Sequence, residues 1–169
     1  KVDTLQVKSP SMNKSIEVVV VSPDVAATKA CPVIYLLHGY GGNARTWVGI
    51  KPDLSKIADE KGIFFVCPDG KNTWYWDSPL NADVRYETFI SDELVKYVDS
   101  HYKTVADRKG RAITGLSMGG HGAMWNGLRH SDVFSAAGST SGGVDIRPFP
   151  KNWEMSVQIG EKAKYPENW

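Results

Sequence analysis

Two cysteines, Cys31 and Cys67, are all the thiol chemistry this 169-residue chain offers. They are too few for a disulfide framework and match no zinc-ligand spacing. Cys31 is expected at the start of one parallel strand and Cys67 at the end of the next, too far apart to be bridged; both read as small buried apolar groups. Charge of a single sign is lacking as well. Twenty Lys and Arg are interleaved with nineteen Asp and Glu, for a formal net charge of +1. No basic stripe forms, so nucleic acid is not an expected partner. Apolar runs such as VVVV at 18–21 and VIYLL at 33–37 fall far short of the roughly 20 residues a membrane-spanning helix needs, and no membrane partner is expected. Internal repeats and low-complexity stretches are missing. So are a metal-ligand cluster, a phosphate-binding glycine loop and a nucleotide fingerprint, and no cofactor is expected; GGHGA at 119–123 lacks the lysine and spacing of a P-loop. The first residue is Lys1, not Met. Removal of an export leader would leave that start, and so would a cut within a longer chain; a periplasmic or secreted protein is slightly favoured over a cytoplasmic one.

What is present alternates. TLQVKS and SIEVVVVS, separated by PSMNK, read as an antiparallel hairpin at a sheet edge. PVIYLL at 32–37 and IFFVC at 63–67 are short runs apolar on both faces, as parallel strands buried on both sides are. Between them DLSKIADEKG (53–62) reads as a helix with an Asp start and a Gly stop. Over 86–102, Phe89, Ile90, Leu94, Tyr97 and Val98 recur at helical spacing. RAITG at 111–115 is a strand, MGGHGAMWNGLR a helix, and VFSAAGSTSG at 133–142 the next strand with its exit loop. The order predicts one α/β domain with a mostly parallel sheet between helical layers. Ligands of such sheets bind beyond the carboxyl ends of the strands. The glycine turn HGYGG (38–42), the aromatic loop NTWYWDSP (72–79) and Ser117 all belong to that rim.

GLSMG at 115–119 has the G-x-S-x-G pattern of a nucleophile elbow, between a β-rich run and a helix. Side chains at Gly115 and Gly119 would strike neighbouring backbone, and Gly120 gives further room. The turn lifts the Ser117 hydroxyl over the sheet and points the N-terminus of the next helix at a reacting carbonyl. Ser117 is therefore the candidate nucleophile. The oxyanion of an acyl-transfer intermediate needs two preorganised N–H donors. Met118 is one candidate; Tyr40, with Gly41 as the alternative, is the other.

The segments PVIYLLHGYGGN, VCPDG, WYWDSP, YETFISDELVKYVD and RAITGLSMGGHGAM resemble the esterase D-type branch of the α/β-hydrolase superfamily. That branch includes tributyrin-type esterases, S-formylglutathione hydrolases, feruloyl and acetyl-xylan esterases and mycolyl transferases. The resemblance runs from about residue 15 to the end. It implies a three-layer α/β-hydrolase sandwich, Ser117 as nucleophile, Met118 and Tyr40 as oxyanion donors, and an ester substrate that is a small molecule or is linked to carbohydrate.

In this fold the acid and then the histidine follow the serine. None of the four histidines suits the role. His38 is expected to hold the oxyanion loop, His101 to end its helix at the far side, His121 to point down the elbow helix and His130 to terminate it. The carboxylates that follow the serine are Asp132, Asp145, Glu154, Glu161 and Glu167; Asp132 belongs to the far end of that helix, and Asp145 to the correct rim as a loop contact or pocket residue. In the resembling branch, acid and base come from later strand-end loops. The tail DIRPFPKNWEMSVQIGEKAKYPENW, with at most a short helix, reads as an excursion over the active site. If the chain ended there, the 133–139 strand would be left as an apolar sheet edge. The expectation is an N-terminal part of a longer hydrolase, with 169 residues as one domain lacking its C-terminal strands. Trp74, Tyr75 and Trp76 could stack on a sugar or an aromatic acyl group, or pack under their own loop; Asp77 is expected to cap a turn, and Trp125, Trp153 and Trp169 to pack. The expected function is a serine carboxylic-ester hydrolase working through an acyl-enzyme on short acyl or hydroxycinnamoyl esters. An S-formylglutathione-type thioesterase, an acyltransferase and a catalytically silent carbohydrate- or partner-binding domain are the alternatives.

Overall fold

The computed structural model describes residues 1–169. Six strands form one sheet in the order β1-β2-β4-β3-β5-β6. Strands β1 (Val2–Ser9) and β2 (Lys14–Val21) are the expected hairpin at one edge; β2 also runs antiparallel to β4 (Phe64–Pro68). From there β3 (Val33–Leu37), β5 (Arg111–Leu116) and β6 (Ala136–Thr140) are all parallel to their neighbours.

Why VVVV carries no polar residue is now plain. Successive side chains point to opposite faces of a strand, and both faces here are covered. Val18 and Val20 enter a large core with Tyr35, Leu37, Phe64 and Ile113. Val19 and Val21 enter a smaller one with Leu36, Phe65 and Cys67, roofed by Leu54 and Ala58. Those two belong to α2 (Leu54–Lys61), which follows the short α1 (Thr46–Ile50) and stops at Gly62 in the left-handed conformation (φ 66°). Asp53 precedes α2 but makes no capping bond; its carboxylate faces Lys51 at 3.5 Å. Both thiols are free and buried, and burial pushes that of Cys67 up to about 12.

On the opposite face the expected single helix over 86–102 is three helical pieces. α3 (Tyr86–Thr88) leads into a π-helical stretch (Phe89–Leu94) and then α4 (Val95–His101). The wider turn brings Phe89, Ile90, Ser91 and Leu94 into the core together, and Ser91 Oγ donates to Asn126 Oδ1 at 2.8 Å. Asn126 belongs to α5 (Met118–Arg129), which lies on the same face across β5 and β6. α6 (Met155–Ile159) is the only α-helix of the tail.

Candidate active site

Strand register builds the rim. Leu37 of β3 pairs with Gly115 of β5, and Leu116 of β5 with Thr140 of β6, so three parallel strands end level. The turns that follow them, 38–42, Ser117 and 141–143, are therefore neighbours. The 69–76 loop after β4 joins them, since β4 runs in register beside β3.

Ser117 is the hinge between β5 and α5. Its backbone is at φ 57°, ψ −114°, a region a non-glycine residue adopts only when the surroundings impose it. Here they do. A Cβ at Gly119 would sit 2.7 Å from the carbonyl oxygen of His38, and one at Gly115 2.9 Å from Gly119 Cα. The elbow helix can thus lie against β3 only without those side chains. Ser117 N–H is anchored on Thr140 O at 2.9 Å. The Ser117 residue is exposed, and its hydroxyl makes no hydrogen bond within the chain.

Beside it lies the glycine turn. A Cβ on Gly39 would be 3.4 Å from Ser117 Cβ. His38, 1% exposed, ties the turn in place: its Nε2 accepts from Gly70 N–H at 2.9 Å, and Nδ1 donates to Gly39 O at 2.7 Å. The His38 carbonyl accepts from Tyr75 OH at 2.8 Å. Of the two alternative donors in this turn, Gly41 N–H is engaged by Asn72 Oδ1 at 2.9 Å, whereas Tyr40 N–H has no partner. Met118 N–H, at the first position of α5, is also unpartnered. Two unpartnered amides, on the adjoining glycine turn and at the start of α5, thus accompany the exposed Ser117.

These groups open into a cleft of about 160 Å³ lined by Tyr40, Trp74, Ser117, Phe149, Trp153 and Met155 among others. The tail does run over the rim, and Trp153, expected to pack, is a wall of the cleft. Of the three loop aromatics only Trp74 reaches it. Tyr75 is fully buried, with its hydroxyl spent on His38 O. Trp76 is 4% exposed and lies against Trp74, His121 and Trp125. Left-handed backbone at Trp74 (φ 58°) and Tyr75 (φ 60°) turns consecutive rings in different directions, which composition alone does not reveal. Asp145 is on the cleft wall, but its carboxylate is taken by Arg147 at 2.8 and 2.9 Å, and that pairing pulls it down to about 2. Asp77 caps as expected, accepting from Thr88 N–H at 3.0 Å.

No histidine approaches Ser117 Oγ. His121 is buried with its ring among Trp74, Trp76 and Trp125 and Nδ1 bonded to Trp74 O at 3.1 Å; burial lowers it to about 4. His130 pairs with Glu87 at 2.7 Å past the far end of α5, and His101 stacks on Tyr97. Asp132 is exposed two residues beyond His130.

The family model Esterase, described as "Putative esterase", matches residues 9–168. An esterase of Mycobacterium tuberculosis is 31% identical over 149 residues, covering 84% of this chain and 32% of the relative. The chain thus spans about a third of that relative's length. Among solved structures, a ferulic acid esterase superposes with a TM-score of 0.79 at 31% identity over 98% of this chain and 70% of its own. A fluorophosphonate-binding serine hydrolase of Staphylococcus aureus superposes at 0.83 and 20% identity over 95% and 66%, a likeness of fold.

Proposed function

From the premise that this chain belongs to the Esterase family, we propose that it forms the nucleophile-bearing part of a serine carboxylic-ester hydrolase. One observation carries the reading: the exposed Ser117 on a strained turn, with unpartnered N–H groups on Met118 just after it and on Tyr40 in the adjoining glycine turn. Ser117 Oγ attacks the ester carbonyl, and the two amides hold the resulting oxyanion. The alcohol leaves and an acyl-enzyme remains, which water then hydrolyses. Loss of one such donor raises the barrier by roughly 3 kcal/mol.

The proton acceptor has to come from outside these 169 residues, because each of the four histidines is committed elsewhere or distant. The acid that orients it is assigned outside as well, since Asp145 is held by Arg147. The substrate assigned is a short acyl or hydroxycinnamoyl ester, small or linked to carbohydrate. The aromatic walls Trp74, Phe149 and Trp153 support an acyl group with a flat face.

A burst of p-nitrophenol from p-nitrophenyl acetate, with fluorophosphonate labelling mapped to Ser117 and lost in Ser117→Ala, is the result expected of the full-length protein. Absence of both from that protein refutes the reading and leaves a silent binding domain.

A further inference from the structure

Glu154 is missing from every role assigned so far, yet it meets the oxyanion turn twice. Its Oε2 accepts from Tyr40 OH at 2.8 Å and from Asn72 Nδ2 at 2.9 Å. Asn72 passes the contact on, since its Oδ1 accepts from Gly41 N–H at 2.9 Å. One carboxylate oxygen thus grips the dipeptide Tyr40–Gly41 from both sides: by the tip of the Tyr40 side chain, and through Asn72 by the Gly41 amide. The N–H immediately ahead of these two anchors, that of Tyr40, is left free.

The Glu154 backbone is itself held in an uncommon shape. Trp153 and Glu154 are consecutive non-glycine residues with positive φ, 51° and 57°. Trp74 and Tyr75, at 58° and 60°, are a second such pair. The pairs are stitched together where Trp74 Nε1 donates to Trp153 O at 2.9 Å. Conformations of this kind are strained and persist where the surroundings over-determine them. Here they turn the Glu154 carboxylate back onto the turn while Trp153 and Met155 on either side line the cleft.

Resting on the ester-hydrolase reading above, we propose that Glu154 is a positioning residue for the reaction: it fixes Tyr40 by its side chain and by the Tyr40–Gly41 peptide that follows it, while His38 Nδ1 and Gly42 N–H hold Gly39 O of the preceding peptide, so that the N–H of that Gly39–Tyr40 peptide faces the developing oxyanion, and it thereby couples the tail that walls the acyl cleft to assembly of the oxyanion hole. The bonds to Glu154 also hold the Tyr40 hydroxyl in its protonated, donating form, raising its pKa above the usual phenol value. Gly41 N–H is excluded as the donor because Asn72 occupies it. A tail displaced from the rim would release Asn72 and let the turn reorient.

The test uses the full-length protein. In Glu154→Ala the rate constant of the p-nitrophenyl acetate burst falls about 10-fold at saturation, a fraction of the 10²–10³ that outright loss of a donor costs, while the half-saturating concentration stays within about twofold. Affinity for a phenylboronic acid, which forms a tetrahedral adduct on the serine, falls by the same factor. Glu154→Gln keeps a carbonyl acceptor in place and retains most of the rate. Tyr40→Phe, which removes one hydroxyl only, reproduces part of the loss and serves if Glu154→Ala does not fold. An unchanged burst, a loss confined to half-saturation, or a Gln variant as slow as the Ala variant overturns the proposal. Amide hydrogen exchange over residues 38–43 gives a readout independent of turnover: it speeds up in Glu154→Ala, and unchanged exchange overturns the proposal. A parent protein that neither hydrolyses ester nor takes up fluorophosphonate refutes the functional reading instead, and the exchange comparison still judges Glu154.

Discussion

His121 shows how a residue near Ser117 in sequence can lie outside its surroundings. One helical turn below Ser117, its ring is closed in by three indoles, and burial outweighs the bond to Trp74 O in lowering its pKa from 6.5 to about 4. The sign follows directly. Between pH 6.5 and 4 the unfolded chain binds a proton that the folded chain refuses, so this contribution is complete above pH 6.5 and is lost as pH falls toward 4, by ~3 kcal/mol in all. Urea unfolding at pH 7 and pH 4 should therefore show an acid-side loss smaller by about that amount in His121→Gln; an equal loss in both proteins would contradict the assignment. Gly119 makes a second point at this scale. With the His38 carbonyl oxygen 2.7 Å from where its Cβ would be, Gly119→Ala has to push α5 off β3. The expected result is a loss of ~2 kcal/mol or more in stability, with fluorophosphonate labelling of Ser117 slowed as the elbow shifts. Labelling at the parent rate would show that the elbow tolerates the methyl group.

The π-helical stretch is the element that sequence periodicity misses. Helical spacing of Phe89, Ile90, Leu94 and Val98 indicates a helix, but an added residue in one turn leaves no mark in a short pattern. Its consequence is connective. Glu93, on this stretch, accepts from Ser9 Oγ at 2.7 Å, Ser11 N–H at 2.8 Å and Ser11 Oγ at 2.9 Å, pinning the turn of the β1–β2 hairpin to the helical layer. Glu87, one turn earlier, accepts from Trp125 Nε1 at 2.7 Å and Arg129 Nε at 3.2 Å, pinning α5. Charge-assisted bonds of this kind contribute roughly 1.5–3 kcal/mol. Glu93→Ala is expected to lower stability by about 2 kcal/mol and to speed amide exchange in 9–14, while leaving exchange around Ser117 untouched. Equal acceleration at both places would mean that the hairpin and the rim open as one unit.

At the scale of the whole molecule, all four histidines have hydrogen-bond partners other than Ser117. With no histidine at Ser117, the 169 residues alone are expected to turn over p-nitrophenyl acetate little or not at all, with at most a small residual from binding and the oxyanion site. A longer polypeptide containing them should be active; rapid turnover by the isolated 169 residues would place the base within them and refute the assignment. The parallel architecture, the elbow at Ser117 and the convergence of three turns on one rim were legible in the sequence, because each rests on a local pattern: two-sided apolar runs, a glycine–serine turn and the alternation of strand and helix. Within the glycine turn the expectation is a free amide on Tyr40, with Gly41 as the alternative. Which amide is free, which of Trp74, Tyr75 and Trp76 faces the cleft, that Phe149 and Trp153 join it, and that Glu154 bonds the Tyr40 hydroxyl were decided only in three dimensions. Those outcomes depend on single peptide orientations and on contacts between residues 31 to 114 positions apart in the chain. No periodicity carries such information, since it arises only when strand register brings the turns together.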